Sequence, residues 1–167
     1  MLDENELLRV IRESLRAISE PRFFQSERGF QGEFLSVLRA RLPDIRGLDS
    51  DVIIEQEYQK RAQEHGLTIR PDLIIHVPFD ARRYPDRKHG NYIVFELKLR
   101  ASPNGARVAF SHIARLMEIL HYTLGVFINI GSSETHFSEV VKPATGRVAA
   151  FGVTIENGQI EIGENVT

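Results

Sequence analysis

The sequence contains no cysteine. Disulfides, thiolate metal sites and cysteine nucleophiles are therefore excluded, and any bound metal must be held by carboxylate, carbonyl or imidazole groups. Long hydrophobic runs are also missing. Apolar stretches such as Leu124 to Ile128 fall far short of the roughly 20 residues that a membrane span needs. Residues Met1 to Glu6 are acidic and lack the basic region of a signal peptide, so the expectation is a cytoplasmic protein without a membrane partner. Lysine is scarce, with 4 against 17 arginines. That skew favours the planar cation suited to phosphate and carboxylate, although an arginine-rich codon usage would produce the same count. The net charge of −2 argues against a surface coated in positive charge. Residues 151–167 carry Glu156, Glu161 and Glu164 and no Lys or Arg, so a polyanion must dock elsewhere. GxxxxGK[ST], GxGxxG and GxSxG are all absent, which removes the commonest nucleotide-binding and serine-hydrolase readings.

What is present suits one globular unit. A chain of 167 residues buries about two-thirds of its unfolded surface, enough for a core without staples. No repeat, low-complexity run or linker divides it, so residues 1–167 are expected to form a single domain. Leu7, Leu8, Ile11, Leu15 and Ile18 recur at helical spacing, as do Phe30, Phe34, Val37, Leu38 and Leu42 before Pro43. Three strands are predicted next, at Asp51–Tyr58, Leu67–Val77 and Tyr92–Leu99. Ala109, Ile113, Leu116, Met117 and Leu120 form one helical stripe, followed by an almost wholly apolar strand from Leu124 to Ile130 that reads as buried on both faces. The end, Val148–Ile155 and Gln159–Ile162 around Asn157-Gly158, reads as a β-hairpin. The fold class is α/β, with three strands in a meander and a fourth reached through a helical crossover.

Charge stands on these strands where the pattern predicts apolar residues. Side chains alternate along a strand, so Glu96 and Lys98 share a face while Phe95, Leu97 and Leu99 take the other. Asp72, immediately after Pro71, falls on the face of Ile74. A charge on an otherwise apolar strand costs about 2 kcal/mol or more to desolvate unless it is paired or binds an ion. Neighbouring strands can bring Asp72 and Glu96 within roughly 5 to 8 Å. With the Leu97 carbonyl, the two carboxylates make an incomplete octahedral oxygen shell suited to Mg²⁺ or Mn²⁺. Lys98 can then orient a water molecule and offset charge developing on phosphorus. The ordinary alternative is a Glu–Lys pair on a solvated sheet face, with Asp72 ending a strand at a turn.

The segments Arg70-Pro71-Asp72-Leu73-Ile74-Ile75 and Ile93-Val94-Phe95-Glu96-Leu97-Lys98 resemble the signature of the PD-(D/E)XK nuclease superfamily. The resemblance runs from about Phe30 to Gly131. It implies a restriction-endonuclease-like αβββαβ core, a mixed central sheet flanked by helices, with an extra N-terminal helix and a C-terminal hairpin. It also implies a metal-dependent nuclease acting on nucleic acid, DNA first, with Mg²⁺ or Mn²⁺ held by Asp72, Glu96, the Leu97 carbonyl and Glu33. Glu33 enters because the helix around Glu33 to Leu38 is similar to the first core helix, which often supplies another metal-binding Glu. The competing reading is a binding or assembly module that keeps the fold without catalysis. His112 stands where small members often carry Gln and is read as a polar helix residue; Glu55 and Glu57 are read as a solvated edge.

The segment from Phe79 to Gly90 carries Arg82, Arg83, Arg87 and Lys88 against Asp80 and Asp86, with Tyr84 among them. It is a candidate for holding a phosphate backbone and stacking a base, or a solvated hairpin loop. The six histidines are dispersed and show no zinc-type spacing. So little basic surface is compatible with work as a homodimer or inside a larger complex.

Overall fold

Side-chain caps start the three long α-helices described in the computed structural model, which describes residues 3–56, 68–86 and 88–167. Asp3 caps α1 (Glu4–Arg16) by accepting the Asn5 N–H, and Ser26 caps α2 (Glu27–Arg41) by accepting the Gly29 N–H. Ser102 caps α3 (Pro103–Leu120), and Pro103 occupies the first turn, where its missing N–H costs nothing. The strands are β1 (Ile53–Gln56), β2 (Leu73–His76), β3 (Asn91–Leu99), β4 (Leu124–Ile130), β5 (Arg147–Glu156) and β6 (Gln159–Val166). They form one mixed sheet in sequence order. β1, β2 and β3 are antiparallel neighbours, β4 and β5 run parallel to β3, and β6 returns antiparallel. The meander, the helical crossover from β3 to β4 and the closing hairpin all match expectation, and the α/β class with them. Among the described residues no helix is long and apolar enough to cross a membrane.

Each face of the sheet carries its own core. Leu7, Ile11 and Leu15 of α1 and Phe30, Phe34 and Leu38 of α2 pack on one face against Phe95, Leu97, Val126 and Phe151. Ala109, Phe110, Ile113 and Met117 of α3 pack on the other, against Ile74, Val94 and Phe127. β4, with all seven residues buried, is sandwiched between the two layers. A β-carbon at Gly125 would overlap Ile113 and Met117, so the lack of one lets α3 lie close over the sheet. The hairpin turns at Asn157 (φ 50°) and Gly158 (φ 77°), as a two-residue turn needs.

The strand that ends early matters most. β2 was expected from Leu67 to Val77, yet among its described residues pairing starts at Leu73, whose partner is Phe95. Pro71 stands where a residue facing Leu97 would be, and it has no N–H to give to a ladder. β3 therefore overruns β2, and among the described residues Glu96 to Leu99 pair with β4 alone, on their other side. β1 starts at Ile53 where Asp51 was expected; Glu57 and Tyr58 lie outside the described residues, as do Leu67 and Arg87.

Candidate active site

Past the start of β2, side chains take backbone N–H groups of β3. Asp72 Oδ2 accepts the Leu97 N–H at 2.7 Å. Glu27 Oε2, from the first turn of α2, accepts the Leu99 N–H at 3.2 Å. One turn further along α2, Gln31 Nε2 donates to the Asp72 carbonyl at 3.0 Å and fixes the residue from its backbone. A buried amide placed this way holds the Asp72 carboxylate at the strand end.

Lys98 sits at the meeting point of the acids. Its Nζ lies 3.7 Å from Glu27 Oε1, 3.9 Å from Asp72 Oδ2 and 4.0 Å from Glu96 Oε2, and donates to the Leu97 carbonyl at 2.8 Å. Asp72, Glu96, Lys98 and the Leu97 carbonyl are thus brought together as the alternation of β3 predicts. Glu96 is only 3% exposed, and its Oε1 is buried with no hydrogen-bond partner. Burial foremost, then the Asp72 carboxylate, pushes its pKa up to about 8; Lys98 acts the other way and Glu27 adds to the rise. His112 of α3 points Nδ1 toward Glu96 Oε1 at 4.0 Å, beyond hydrogen-bond reach. Burial first, and the Lys98 charge second, hold its imidazole below the ordinary pKa against the pull of Asp72.

Among solved structures the chain resembles Pyrococcus furiosus SfsA in complex with Ca²⁺, at TM-score 0.43 and 15% identity over 81% of this chain and 62% of that one. It also resembles P. aeruginosa NucC in its cAAA-bound form, at TM-score 0.42 and 10% identity over 97% of this chain and 80% of that one. The chain spans less than two thirds of the SfsA chain's length. No family model matches the chain, and no curated protein matches it in sequence.

Other expected residues lie elsewhere. Glu33 is two residues from Gln31, about 200° around the helix, and among the described residues the acids that meet Lys98 are Glu27, Asp72 and Glu96. Glu27 is the α2 acid that reaches the site. Its angular position falls within the stripe of Phe30, Phe34 and Leu38, a signal that a helix start read at Phe30 leaves out. Arg82, Arg83 and Lys88 lie on the connection from the end of β2 to the start of β3, whereas the acids stand at the start of β2 and the end of β3. Seven residues of strand, about 23 Å, separate Asn91 from Lys98. Arg82 is bonded to Asp80, and Arg83 to Asp49 and Asp51. Glu55, on β1, accepts from buried His76 Nε2 at 2.6 Å, which sets the proton of that imidazole on Nε2.

Proposed function

We propose that this protein is a divalent-metal-dependent nuclease that hydrolyses phosphodiester bonds of nucleic acid, with DNA as substrate and Mg²⁺ or Mn²⁺ as cofactor. One observation carries the reading: Glu96 presents a buried carboxylate oxygen with no hydrogen-bond partner beside the Asp72 carboxylate and the Leu97 carbonyl. A buried acceptor left unsatisfied costs about 1 to 3 kcal/mol, and more when charged. A cation between these oxygens would remove that cost.

The donor set fits the ion. Among the described residues no three Asp, Glu or His side chains gather closely enough to hold a metal unaided. Two carboxylates and a carbonyl, all hard oxygens, match an ion that keeps several waters and takes a phosphate oxygen. Asp72, Glu96 and the Leu97 carbonyl would hold it, with Glu27 supporting from α2. When bound, the ion supplies positive charge to the phosphoryl oxygens and acidity to a nearby water. Lys98 Nζ orients the attacking water and offsets charge on the phosphoryl group as the water oxygen bonds to phosphorus and the ester P–O bond breaks. Gln31 and Glu27 keep the strand ends in place.

The test is incubation of plasmid, linear and branched DNA, and RNA, with Mg²⁺ or Mn²⁺. Cleavage is expected, with loss of activity in Lys98→Ala and of metal binding in Asp72→Asn. No cleavage of any substrate, or full activity in Lys98→Ala, would overturn it. A second reading draws on the Lys98 contacts themselves: an ammonium that meets three carboxylates can make the acids structural, as in an assembly module of the same fold. It predicts no calorimetric heat with Mn²⁺.

A further inference from the structure

Beside the acids, on the outer side of α3, opens a cavity of about 600 Å³. This is within the range that small-ligand sites occupy. Ile69, from the segment leading into Asp72, with Ala114 and Val141 gives it apolar walls, and Val141 keeps 39% of its surface exposed there. Arg115 and Glu118 supply one charge of each sign, next to each other on the helix face. His112 belongs to both places: it lines the cavity and directs Nδ1 at Glu96 Oε1. The cavity therefore begins one side chain away from the acids.

We infer that this cavity seats the base of the nucleotide next to the cleaved phosphate, and that the substrate presents that nucleotide unpaired, as a single strand, a frayed end or a flap. The inference rests on the nuclease reading and names the substrate class of the same site. Balanced charge and apolar walls suit a neutral planar ring with donors and acceptors on its edge, and suit a second phosphate poorly. Arg115 and the imidazole of His112 offer flat faces and N–H donors, and Glu118 offers an acceptor to an exocyclic amine. A base inside a duplex is stacked and paired, so it reaches a side cavity only when unstacked. The surface agrees: Arg82 and Arg83 are bonded to aspartates, and the net charge is −2, which gives little electrostatic grip on a continuous duplex.

The experiment uses the full chain, short DNA and RNA single strands carrying one 2-aminopurine, and a duplex of the same sequence, with binding read by fluorescence. Ser111→Trp narrows the mouth from an exposed position on α3, and Ala114→Phe fills the wall; circular dichroism checks that both remain folded. At least tenfold tighter binding of the single strand than of the duplex is expected, with at least a tenfold loss in each folded variant. Mn²⁺ affinity by calorimetry should stay within twofold of the parent. Equal or tighter binding of the duplex overturns the inference, as does single-strand binding by Ser111→Trp that matches the parent. If Mn²⁺ binding and cleavage persist in those cases, the nuclease reading survives and the subsite alone fails. A parent that binds neither Mn²⁺ nor any nucleic acid removes both.

Discussion

Replacing Glu96 by Gln should make the metal-free protein more stable at pH 8, because the native state carries this carboxylate at a cost. Its pKa of about 8 compares with an ordinary value of 4.5. Between those values the native state binds more protons than the unfolded state, so stability falls as pH rises. At about 1.4 kcal/mol per tenfold difference in proton binding, the penalty grows to the order of 5 kcal/mol by pH 8 and then levels off. Below pH 4.5 it vanishes, since the group is protonated in both states. Other groups titrate in the same window, so the informative quantity is the difference between parent and Glu96→Gln. Urea unfolding from pH 4.5 to 8.5 with a chelator present measures it. The two stabilities should diverge steadily with pH, the variant ending ahead. Mn²⁺ at a hundredfold excess over its dissociation constant should then restore about 2.7 kcal/mol to the parent at pH 8 and much less to the variant. Parallel pH profiles would refute both the buried charge and the idea that a cation relieves it.

Lys98→Met should tighten Mn²⁺ binding about tenfold in calorimetry while abolishing cleavage, because it removes an ammonium within 4.0 Å of three carboxylates; weaker binding would contradict this. Gln31→Leu leaves the Asp72 carbonyl without its amide donor at 3.0 Å, and should cost about 1 kcal/mol in denaturant melts together with a loss of metal affinity. Gly125→Ala pushes α3 off the sheet through Ile113 and Met117 and should destabilise by about 1 to 3 kcal/mol; an unchanged melting temperature would show that the helix can shift freely. Arg82→Ala should alter nucleic-acid affinity less than twofold, since its guanidinium is bonded to Asp80 at the far end of the strands; a tenfold loss would return that loop to the binding surface.

The sequence carries the site's β-residues plainly and its helical ones faintly. Asp72, Glu96 and Lys98 are legible because a charge on an apolar strand violates period-two alternation, and that violation is local to a few residues. Pro71 does not interrupt the strand expected from Leu67 to Val77, and only the register reveals that β2 begins after it and leaves the Leu97 N–H to Asp72. Glu27 and Gln31 act on backbone atoms of Leu99 and Asp72, partners 72 and 41 residues away. Main-chain acceptors and donors leave no side-chain signature at the distant position, so this pairing is invisible in sequence. The displacement from Glu33 to Glu27 follows from locating the helix by its apolar residues alone: Ser26 and Glu27 precede the first phenylalanine yet form the cap and first turn. The Asn157-Gly158 turn, by contrast, depends on two adjacent residues with a shared conformational preference, and its hairpin was legible, although the second strand runs to Val166 where Ile162 was expected to end it.

The staggered ends of β2 and β3 set robustness against reactivity in this protein. Were Pro71 a valine, the shorter strand could zip onward, and its main chain would claim the very amide hydrogen that Asp72 now occupies. Such a chain would gain rungs of ladder and surrender the mouth of its acidic cleft. Lengthening or trimming one strand by two residues is therefore enough to close or open an acidic cleft in this architecture.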